Sequence, residues 1–175
     1  MGIDLLSTIR SVPDFPKKGI VFRDITTLLK DPAALHTAID MLGAHYARFR
    51  IAKVVGVESR GFILGGALAD RLGAGFVPVR KPGKLPAKTL RQEYALEYGT
   101  DAIEIHADAI TRGERVLMHD DLLATGGTMA AACRLVESLG GEIVGLSFLI
   151  ELLFLNGRNR LLPYEVFSLV TYNAE

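Results

Sequence analysis

Residues 116–132, VLMHDDLLATGGTMAAA, place two acids directly before a loop that contains two glycines. The pattern predicts a strand, then Asp120 and Asp121, then the loop ATGGT, and then a helix. Such a turn directs successive backbone N–H groups and a helix N-terminus at one point, where a phosphate is stabilised. The loop is not a P-loop, because it lacks the GxxxxGK[ST] spacing and the lysine of that motif. The segment therefore predicts a local anion site beside two carboxylates.

The acid pair suits the other half of a phosphorylated ligand. Carboxylates at the carboxyl end of a strand accept hydrogen bonds from vicinal hydroxyls, and they can also orient Mg²⁺ through water. On the phosphate side, Thr125 and Thr128 add hydroxyl donors and the glycines let the backbone come close. A ribose 5-phosphate carries a phosphate and vicinal hydroxyls, so it satisfies both halves of the site.

Length and composition narrow the class of protein. The chain has 175 residues, 49% of them hydrophobic, which suffices for one domain over residues 1–175 with a buried core. Its 20 basic and 20 acidic residues create no global field that would favour nucleic acid or an anionic membrane. The N-terminus has no apolar core with basic flanks, and no later stretch is apolar for the roughly 20 residues of a membrane span. We expect a soluble cytoplasmic protein whose single Cys133 is a small buried side chain.

Strands and helices alternate around the acid pair. Four apolar runs predict strands at 53–57, 76–79, 115–119 and 142–150. Helical patterns at 61–73 and 127–141 each end in glycine, as helices often do. Near-continuous apolar strands suit a parallel sheet covered on both faces, so the succession predicts an α/β fold. A last strand is predicted around 166–170, in a C-terminal segment that shows no chemistry of its own.

Two segments stand outside that succession. Before it we expect a short helix at 4–11, then a Pro/Gly-rich stretch, then a longer helix that begins at Asp31-Pro32 and ends near Phe49. Asp followed by Pro forms a good N-cap and first turn. Between the second and third strands, a basic Pro/Gly-rich run precedes two alternating segments around YGTD. This run predicts a mobile loop, and the alternating segments predict a β-hairpin.

The motifs together resemble a known family. HDDLLATGGT resembles the phosphoribosyl-pyrophosphate motif of the type I phosphoribosyltransferases, and DDLLATGGTMAAA is most similar to the adenine phosphoribosyltransferases among them. The resemblance continues through PDFPKKGIVFRDITTLLKDP, ESRGFILGGALA, RKPGKLPAKT and YALEYGTDAIEIHADAI, in order and over nearly the whole chain. It implies the type I fold, a mostly parallel central sheet flanked by helices. A small N-terminal hood at about residues 1–30 and a flexible loop and hairpin would complete it.

The resemblance also implies where the sugar and its 5-phosphate bind. Asp120 and Asp121 would accept hydrogen bonds from the ribose hydroxyls of 5-phosphoribosyl-1-pyrophosphate. The same pair would hold Mg²⁺, either through water or through the substrate. The implied 5-phosphate loop consists of Ala124, Thr125, Gly126, Gly127 and Thr128.

Cations are implied at the leaving diphosphate. The segment ESRG would form the pyrophosphate loop, in which Ser59 contributes a backbone donor and Arg60 faces the leaving group. Lys81 and Lys84 lie in RKPGKLP, which in similar enzymes closes over the diphosphate and sometimes reaches the partner subunit's site. Arg80, in the same run, would share this task. The implied catalytic residues are therefore Arg60 and Lys84, together with Glu97 of the hairpin.

The base would lie between the hood and the sheet. In similar enzymes the hood segment encloses adenine, largely by backbone hydrogen bonds and stacking, and Leu122 would pack on the other face. Glu97 and Tyr98, in ALEYG, resemble the hairpin residues that approach the base and ribose. Glu97 could relay the proton of the ring nitrogen that attacks. The residues of the hood segment are Val21, Phe22 and Arg23.

The implied activity is transfer of the phosphoribosyl group to adenine by a homodimer, giving AMP and pyrophosphate in purine salvage. Two alternatives stay open. A related enzyme could use a 6-oxopurine, with the same phosphate motif and a different hood. A regulatory protein could sense the diphosphate sugar without turnover, although the neutral charge and the lack of an appended DNA-binding segment count against it. Pyrophosphate release on mixing with adenine separates the three.

Two features depart from the family pattern. His119 precedes the acid pair, where relatives usually carry an apolar residue, and we expect a buried neutral histidine packed in the sheet. Pro82 and Lys88 give the basic loop its own composition.

Overall fold

A five-stranded parallel sheet forms the centre of the protein in the computed structural model, which describes residues 2–95 and 99–174. The described strands are β1 (Arg10–Val12), β2 (Phe22–Asp24), β3 (Lys53–Val57), β4 (Gly75–Val79), β5 (Thr89–Ala95), β6 (Thr100–His106), β7 (Arg115–Leu123), β8 (Glu142–Leu152) and β9 (Val166–Tyr172). The described α-helices are α1 (Thr26–Leu29), α2 (Pro32–Tyr46), α3 (Gly61–Leu72) and α4 (Gly127–Ser138).

The strand order of the central sheet is β4-β3-β7-β8-β9, and each neighbouring pair is parallel. Two small antiparallel sheets flank it, one from β1 and β2 and one from β5 and β6. The predicted α/β fold and its four apolar strands are confirmed, and the two alternating segments pair as the antiparallel strands β5 and β6.

Side chains of the central strands alternate between two layers of core. Val54 and Leu117 pack in the cluster that contains residues of α2 and α3. Val55 and Met118, one position further along the same strands, pack in the cluster that contains α4 and the β5–β6 hairpin. Because successive strand residues face opposite sides, both faces of the sheet need apolar side chains, which explains the continuous apolar runs.

Helices α2 and α3 begin where local signals place them, and α3 ends beside its predicted glycine, whereas α4 ends at Ser138, three residues before the predicted end at 141. Asp31 caps α2, since its carboxylate accepts hydrogen bonds from the N–H groups of Ala33 and Ala34 at 2.9 and 3.1 Å. The α-helix ends at Tyr46, and a 3-10 turn continues to Phe49. No helix in the described ranges is long and apolar enough to cross a membrane.

The prediction of a helix at 4–11 is wrong. The structure has a short 3-10 turn at Leu6–Thr8, followed by β1. Strand β1 pairs with β2, and Arg10 lies opposite Asp24 in this pairing. The Arg10 guanidinium also donates a hydrogen bond to the Asp24 carboxylate. Strand pairing with a distant segment therefore overrides the local helical pattern.

Strand β7 extends beyond the predicted end at His119. It pairs with β8 as far as Leu123, opposite Glu151, so the acid pair lies within the strand and not after it. The prediction ended the strand at the first charged residue, whereas backbone pairing with β8 continues through both acids. β8 likewise extends to Leu152, two residues beyond the predicted end.

Candidate active site

The carboxyl ends of β3 and β7 meet at the centre of the sheet, because the two strands are parallel neighbours. From this point the chain runs outward in opposite directions, from β3 to β4 and from β7 to β8. Open α/β sheets bind ligands at such a switch point. A cavity of about 330 Å³ opens there. It is lined by Val57, Glu58, Ser59, Arg60, Lys81, Tyr94, Ile103, Asp120, Asp121, Leu122 and Thr128.

The predicted phosphate loop lies beside this cavity. Residues 124–128 line a second cavity of about 90 Å³, which shares Asp120, Leu122 and Thr128 with the first. Gly126 has a φ of +79°, a left-handed conformation that favours glycine, and α4 begins at the next residue. Because glycine occupies the N-cap position, no side chain at that position competes for the N–H groups of the first turn. The turn can therefore present its N–H groups to an anion.

The acid pair is embedded in the floor of the larger cavity. Asp120 Oδ1 accepts a hydrogen bond from the Asp121 N–H at 2.9 Å, and the Asp121 side chain is buried. Burial and the neighbouring Asp121 carboxylate raise the pKa of Asp120 well above its ordinary value. Burial also raises the pKa of Asp121, against the effect of the nearby Arg60 guanidinium. A cation or hydroxyl donors bound at the pair would favour the charged form of both carboxylates.

Arg60 lies directly over the acid pair. Its Nε is 2.9 Å from Asp121 Oδ2, an ion pair whose alignment falls short of a hydrogen bond. Gly61 begins α3 and makes this approach possible, since a Cβ at that position would lie 2.8 Å from Asp120 Oδ1. The ESRG segment and the acid pair, about 60 positions apart in the sequence, thus share one site.

The lysines of the basic loop are paired with carboxylates. Lys81 lines the cavity, and its ammonium group contacts Asp101 and the Tyr94 hydroxyl. Lys84 Nζ donates to Glu58 Oε1 at 2.6 Å. Burial lowers the pKa of Lys81, but the bonds to Asp101 and Tyr94 outweigh it and the net shift is upward. Lys81 therefore carries its charge at the cavity wall, and Lys84 contacts Glu58, which lines the same wall.

The hood segment contributes one side chain to the neighbourhood of Arg60. The Arg60 guanidinium lies 5.0 Å from the ring centroid of Phe22, and this ring also packs edge-on against Phe15. The Arg23 side chain is directed elsewhere, with Nη1 donating to Ser11 Oγ at 2.5 Å and the guanidinium over the ring of Tyr172. A contact of Arg23 with a base would therefore have to come from its backbone.

Two of the remaining predicted residues lie in the described part of the chain and two lie outside it. Leu122 lines both cavities, and Val21 directly precedes β2. Glu97 and Tyr98 lie outside the described residues, and their predicted roles stay predictions. Tyr94, which was not predicted, lines the larger cavity from the end of β5.

Comparison with known proteins identifies the family of this chain. The sequence profile of the phosphoribosyl transferase domain matches residues 24–173. An adenine phosphoribosyltransferase from Solibacter usitatus is 61% identical over 170 residues, which cover 97% of this chain and 98% of that protein. The chain belongs to the adenine phosphoribosyltransferases.

Solved structures of adenine phosphoribosyltransferases share the fold. The crystal structure of the enzyme from Thermoanaerobacter pseudethanolicus superposes with a TM-score of 0.94 at 54% identity, covering 96% of this chain and 98% of that one. The enzyme from Saccharomyces cerevisiae, complexed with adenine and an imino-altritol bisphosphate, gives a TM-score of 0.89 at 42% identity and covers 94% and 95% of the two chains. The predicted membership of the type I phosphoribosyltransferases is confirmed.

In this adenine phosphoribosyltransferase fold, a C-terminal turn packs against the loop 124–128 that is predicted to bind phosphate. Gly157 is buried and packs so closely that a Cβ there would overlap the carbonyl oxygen of Ala124. A Cβ at Gly126 would in turn lie 2.6 Å from the carbonyl oxygen of Gly157. Arg158 anchors the turn, with Nε and Nη2 donating to the buried Glu151 carboxylate at 2.5 and 2.6 Å. No chemistry was predicted for this segment, and its glycine was the only sequence signal for a close approach.

His119 is a buried neutral histidine, as predicted. It is fully buried, and its Nδ1 lies 3.1 Å from Ser147 Oγ on the neighbouring strand. Burial lowers the pKa of His119 to about 4. Its side chain meets α3 near Gly65, so it packs between the sheet and that helix and does not reach the cavity.

Proposed function

We propose that the protein transfers the 5-phosphoribosyl group from 5-phosphoribosyl-1-pyrophosphate to adenine, giving AMP and pyrophosphate. The observation that supports this proposal best is the position of Arg60 over Asp121, beside the loop 124–128. One pocket thus offers a cation for the diphosphate, acids for the ribose hydroxyls and backbone donors for the 5-phosphate. The relatives and solved structures to which the chain is similar bear the name of this activity.

The site acts mainly by positioning and electrostatics. As the bond from the anomeric carbon to the diphosphate lengthens, positive charge develops on the ribose and negative charge on the leaving group. Arg60, Lys81 and Lys84 stabilise the leaving diphosphate, and Ser59 adds a backbone donor. Loop 124–128 fixes the 5-phosphate, so the anomeric carbon is held between the leaving group and the base. The attacking nitrogen of adenine approaches from the opposite face and inverts that carbon.

Adenine binds on the hood side of the ribose. Phe22 stacks on the base, Leu122 packs against its other face, and the backbone of the segment from Val21 to Arg23 supplies hydrogen bonds to the base edge. This arrangement is supported by the position of Phe22 next to Arg60 and by that of Leu122 in the cavity wall. Glu97 relays the proton that the attacking nitrogen loses.

Magnesium fits the donor set of this site, held together with the substrate. Asp120 and Asp121 are oxygen ligands of the kind that Mg²⁺ prefers, and Asp121 Oδ2 is buried without a hydrogen-bond donor among the described residues. The described residues contain no group of three or more acidic, histidine or cysteine side chains that could hold a metal ion unaided. Asp120 and Asp121 would therefore hold Mg²⁺ through water or through substrate oxygens. Bound there, the ion supplies charge neutralisation for the diphosphate sugar.

Further parts of the proposal rest on the family alone. The functional unit is a homodimer, it works in the cytoplasm, and residues 1–175 form one phosphoribosyltransferase domain with a hood at about residues 1–30. Its partners are adenine, 5-phosphoribosyl-1-pyrophosphate, AMP and pyrophosphate, with no nucleic acid and no membrane.

The test of the proposed function is pyrophosphate release. The purified protein is mixed with 5-phosphoribosyl-1-pyrophosphate, magnesium and either adenine, hypoxanthine or no base. We expect stoichiometric pyrophosphate and AMP only with adenine. Release with hypoxanthine alone would indicate a 6-oxopurine enzyme, and binding of the sugar without release would indicate a sensor.

A further inference from the structure

Glu58 accepts three hydrogen bonds from the basic loop. Its Oε2 accepts from Arg80 Nε at 3.0 Å and from the backbone N–H of Lys81 at 3.1 Å, and its Oε1 accepts from Lys84 Nζ at 2.6 Å. Burial raises the pKa of Glu58, but the bonds from Lys84, Lys81 and Arg80 outweigh it, so the carboxylate is held ionised. The ends of two long basic side chains are thereby fixed at one wall of the pocket.

The partners in these ion pairs differ in how far their side chains are exposed to solvent. The Glu58 side chain is 10% exposed, whereas those of Arg80 and Lys84 are 34% and 48% exposed. Ion pairs of such exposed side chains are weak, so they can exchange partners at little cost. The hydrogen bond from the Lys81 backbone N–H to Glu58 does not involve either side chain, so it can persist when Arg80 and Lys84 change partners.

Glu58 also lines the cavity in which the proposed function places the diphosphate, and the inference rests on that placement. An entering diphosphate is attracted by Arg80 and Lys84 and is repelled by the Glu58 carboxylate. Both anions would therefore compete for the same two cations within one pocket.

We propose that Glu58 is a positioning residue for the phosphoribosyl transfer. It holds Arg80 and Lys84 against the pocket wall while no diphosphate is bound and yields them when the diphosphate enters. It takes them back as pyrophosphate leaves. In this exchange the carboxylate weakens pyrophosphate binding and speeds its release, while the loop stays ordered between turnovers.

The experiment compares pyrophosphate binding by the wild type and by Glu58→Gln. Calorimetric titration with pyrophosphate and magnesium chloride gives the Kd, and stopped-flow displacement gives the dissociation rate. Removing a competing charge whose two cationic partners are partly exposed should tighten pyrophosphate binding by about tenfold and slow its dissociation to match. Glu104→Gln is the matched control, because Glu104 Oε2 accepts only from the Gly83 backbone N–H in this loop, at 3.1 Å. Glu104→Gln also removes one negative charge but leaves the bonds of Glu58 to Arg80 and Lys84 in place. Its Kd for pyrophosphate should therefore stay within about twofold of the wild-type value.

Binding of AMP separates the exchange from a merely structural role. AMP carries no diphosphate, so Glu58→Gln should bind it with wild-type affinity. If Glu58→Gln binds AMP as the wild type does but binds pyrophosphate no more tightly, the proposed exchange is wrong. If a thermal melt shows that Glu58→Gln does not fold, Glu58→Ala removes the same charge and decides by the same criterion. Failure of the wild type itself to bind pyrophosphate with magnesium would overturn the diphosphate site of the proposed function, which is a distinct result.

Discussion

Arg60 Nε lies 2.9 Å from Asp121 Oδ2, so a cation that follows β3 is paired with an acid of β7 across the pocket. In the proposed reaction the two groups bind different parts of one substrate, the diphosphate and the ribose hydroxyls. The substrate must therefore replace a contact between two protein side chains with contacts to both of them. Substrate binding should therefore be sensitive to any change of charge at the acid pair or at Arg60.

Replacement of the acid pair should abolish most activity without unfolding the protein. In Asp120→Asn with Asp121→Asn, the ribose hydroxyls lose charged acceptors worth about 1.5–3 kcal/mol each, so kcat/KM should fall by roughly 100-fold or more. Steady-state kinetics and a thermal melt measure the two properties. Asp70→Asn, at an exposed position of α3, serves as the control. Near-wild-type activity of the double variant would refute the assignment.

The close approach of Gly157 to the phosphate loop should affect one substrate only. A Cβ in Gly157→Ala would displace the Ala124 carbonyl, and the KM for 5-phosphoribosyl-1-pyrophosphate should rise by about tenfold, in line with other overpacked sites. Gly66→Ala is the matched control, because open space surrounds that position of α3 and the helix should gain up to about 1 kcal/mol. An unchanged KM in Gly157→Ala would show that the turn does not set the loop geometry.

Lys84→Ala should impair turnover far more than the binding of adenine, because its proposed partner is the leaving diphosphate. Lys84 contacts Glu58 of its own chain, and we therefore expect it to act in its own chain's pocket. Mixing Lys84→Ala with Glu97→Ala, with subunit exchange demonstrated, should restore no activity. Exposed Lys30→Ala controls for the loss of a lysine. Recovery of a fraction of active sites would instead show that the loop reaches the partner subunit.

His119 should make stability depend on pH. Its pKa is about 4 in the folded protein against 6.5 for the ordinary value, so below pH 6.5 the unfolded chain binds a proton that the folded protein does not. Stability is therefore lost as the pH falls from 6.5 towards 4, by up to about 3 kcal/mol. His119→Leu removes this loss. Urea unfolding of both proteins across that range should show diverging curves, and parallel curves would contradict a buried neutral histidine.

The sequence predicted those features that depend on neighbouring residues. The apolar runs at 53–57 and 115–119 predicted strands of a covered parallel sheet, and glycine signals predicted the end of α3. The phosphate loop and the acid pair were recognisable because all their residues lie within one segment.

Features that depend on distant pairing were missed. The bonds of Glu58 to the basic loop and the packing of Gly157 on Ala124 join segments more than 20 positions apart, and no local pattern marks them. The pairing of β1 with β2 replaced a predicted helix for the same reason. Strand β7 includes both acids because its backbone continues to pair with β8, and charged side chains do not prevent this pairing.

Base preference tests the central claim most directly. Adenine presents an amine at the six-position, whereas a 6-oxopurine presents a carbonyl and carries a proton on the adjacent ring nitrogen. A hood that offers backbone partners to adenine would face both groups of hypoxanthine with the wrong partner, and mismatched polar groups in a closed site can discriminate by about 10⁴-fold. Because these partners belong to the backbone, side-chain changes should not switch the base, although Phe22→Ala should weaken adenine binding by removing stacking area.

The decisive measurement is kcat/KM for adenine, hypoxanthine and guanine with the same diphosphate sugar and magnesium. We predict that adenine is used about 10⁴-fold better than either 6-oxopurine. Comparable values for adenine and hypoxanthine would contradict the assignment to adenine, while leaving the phosphoribosyl site in place.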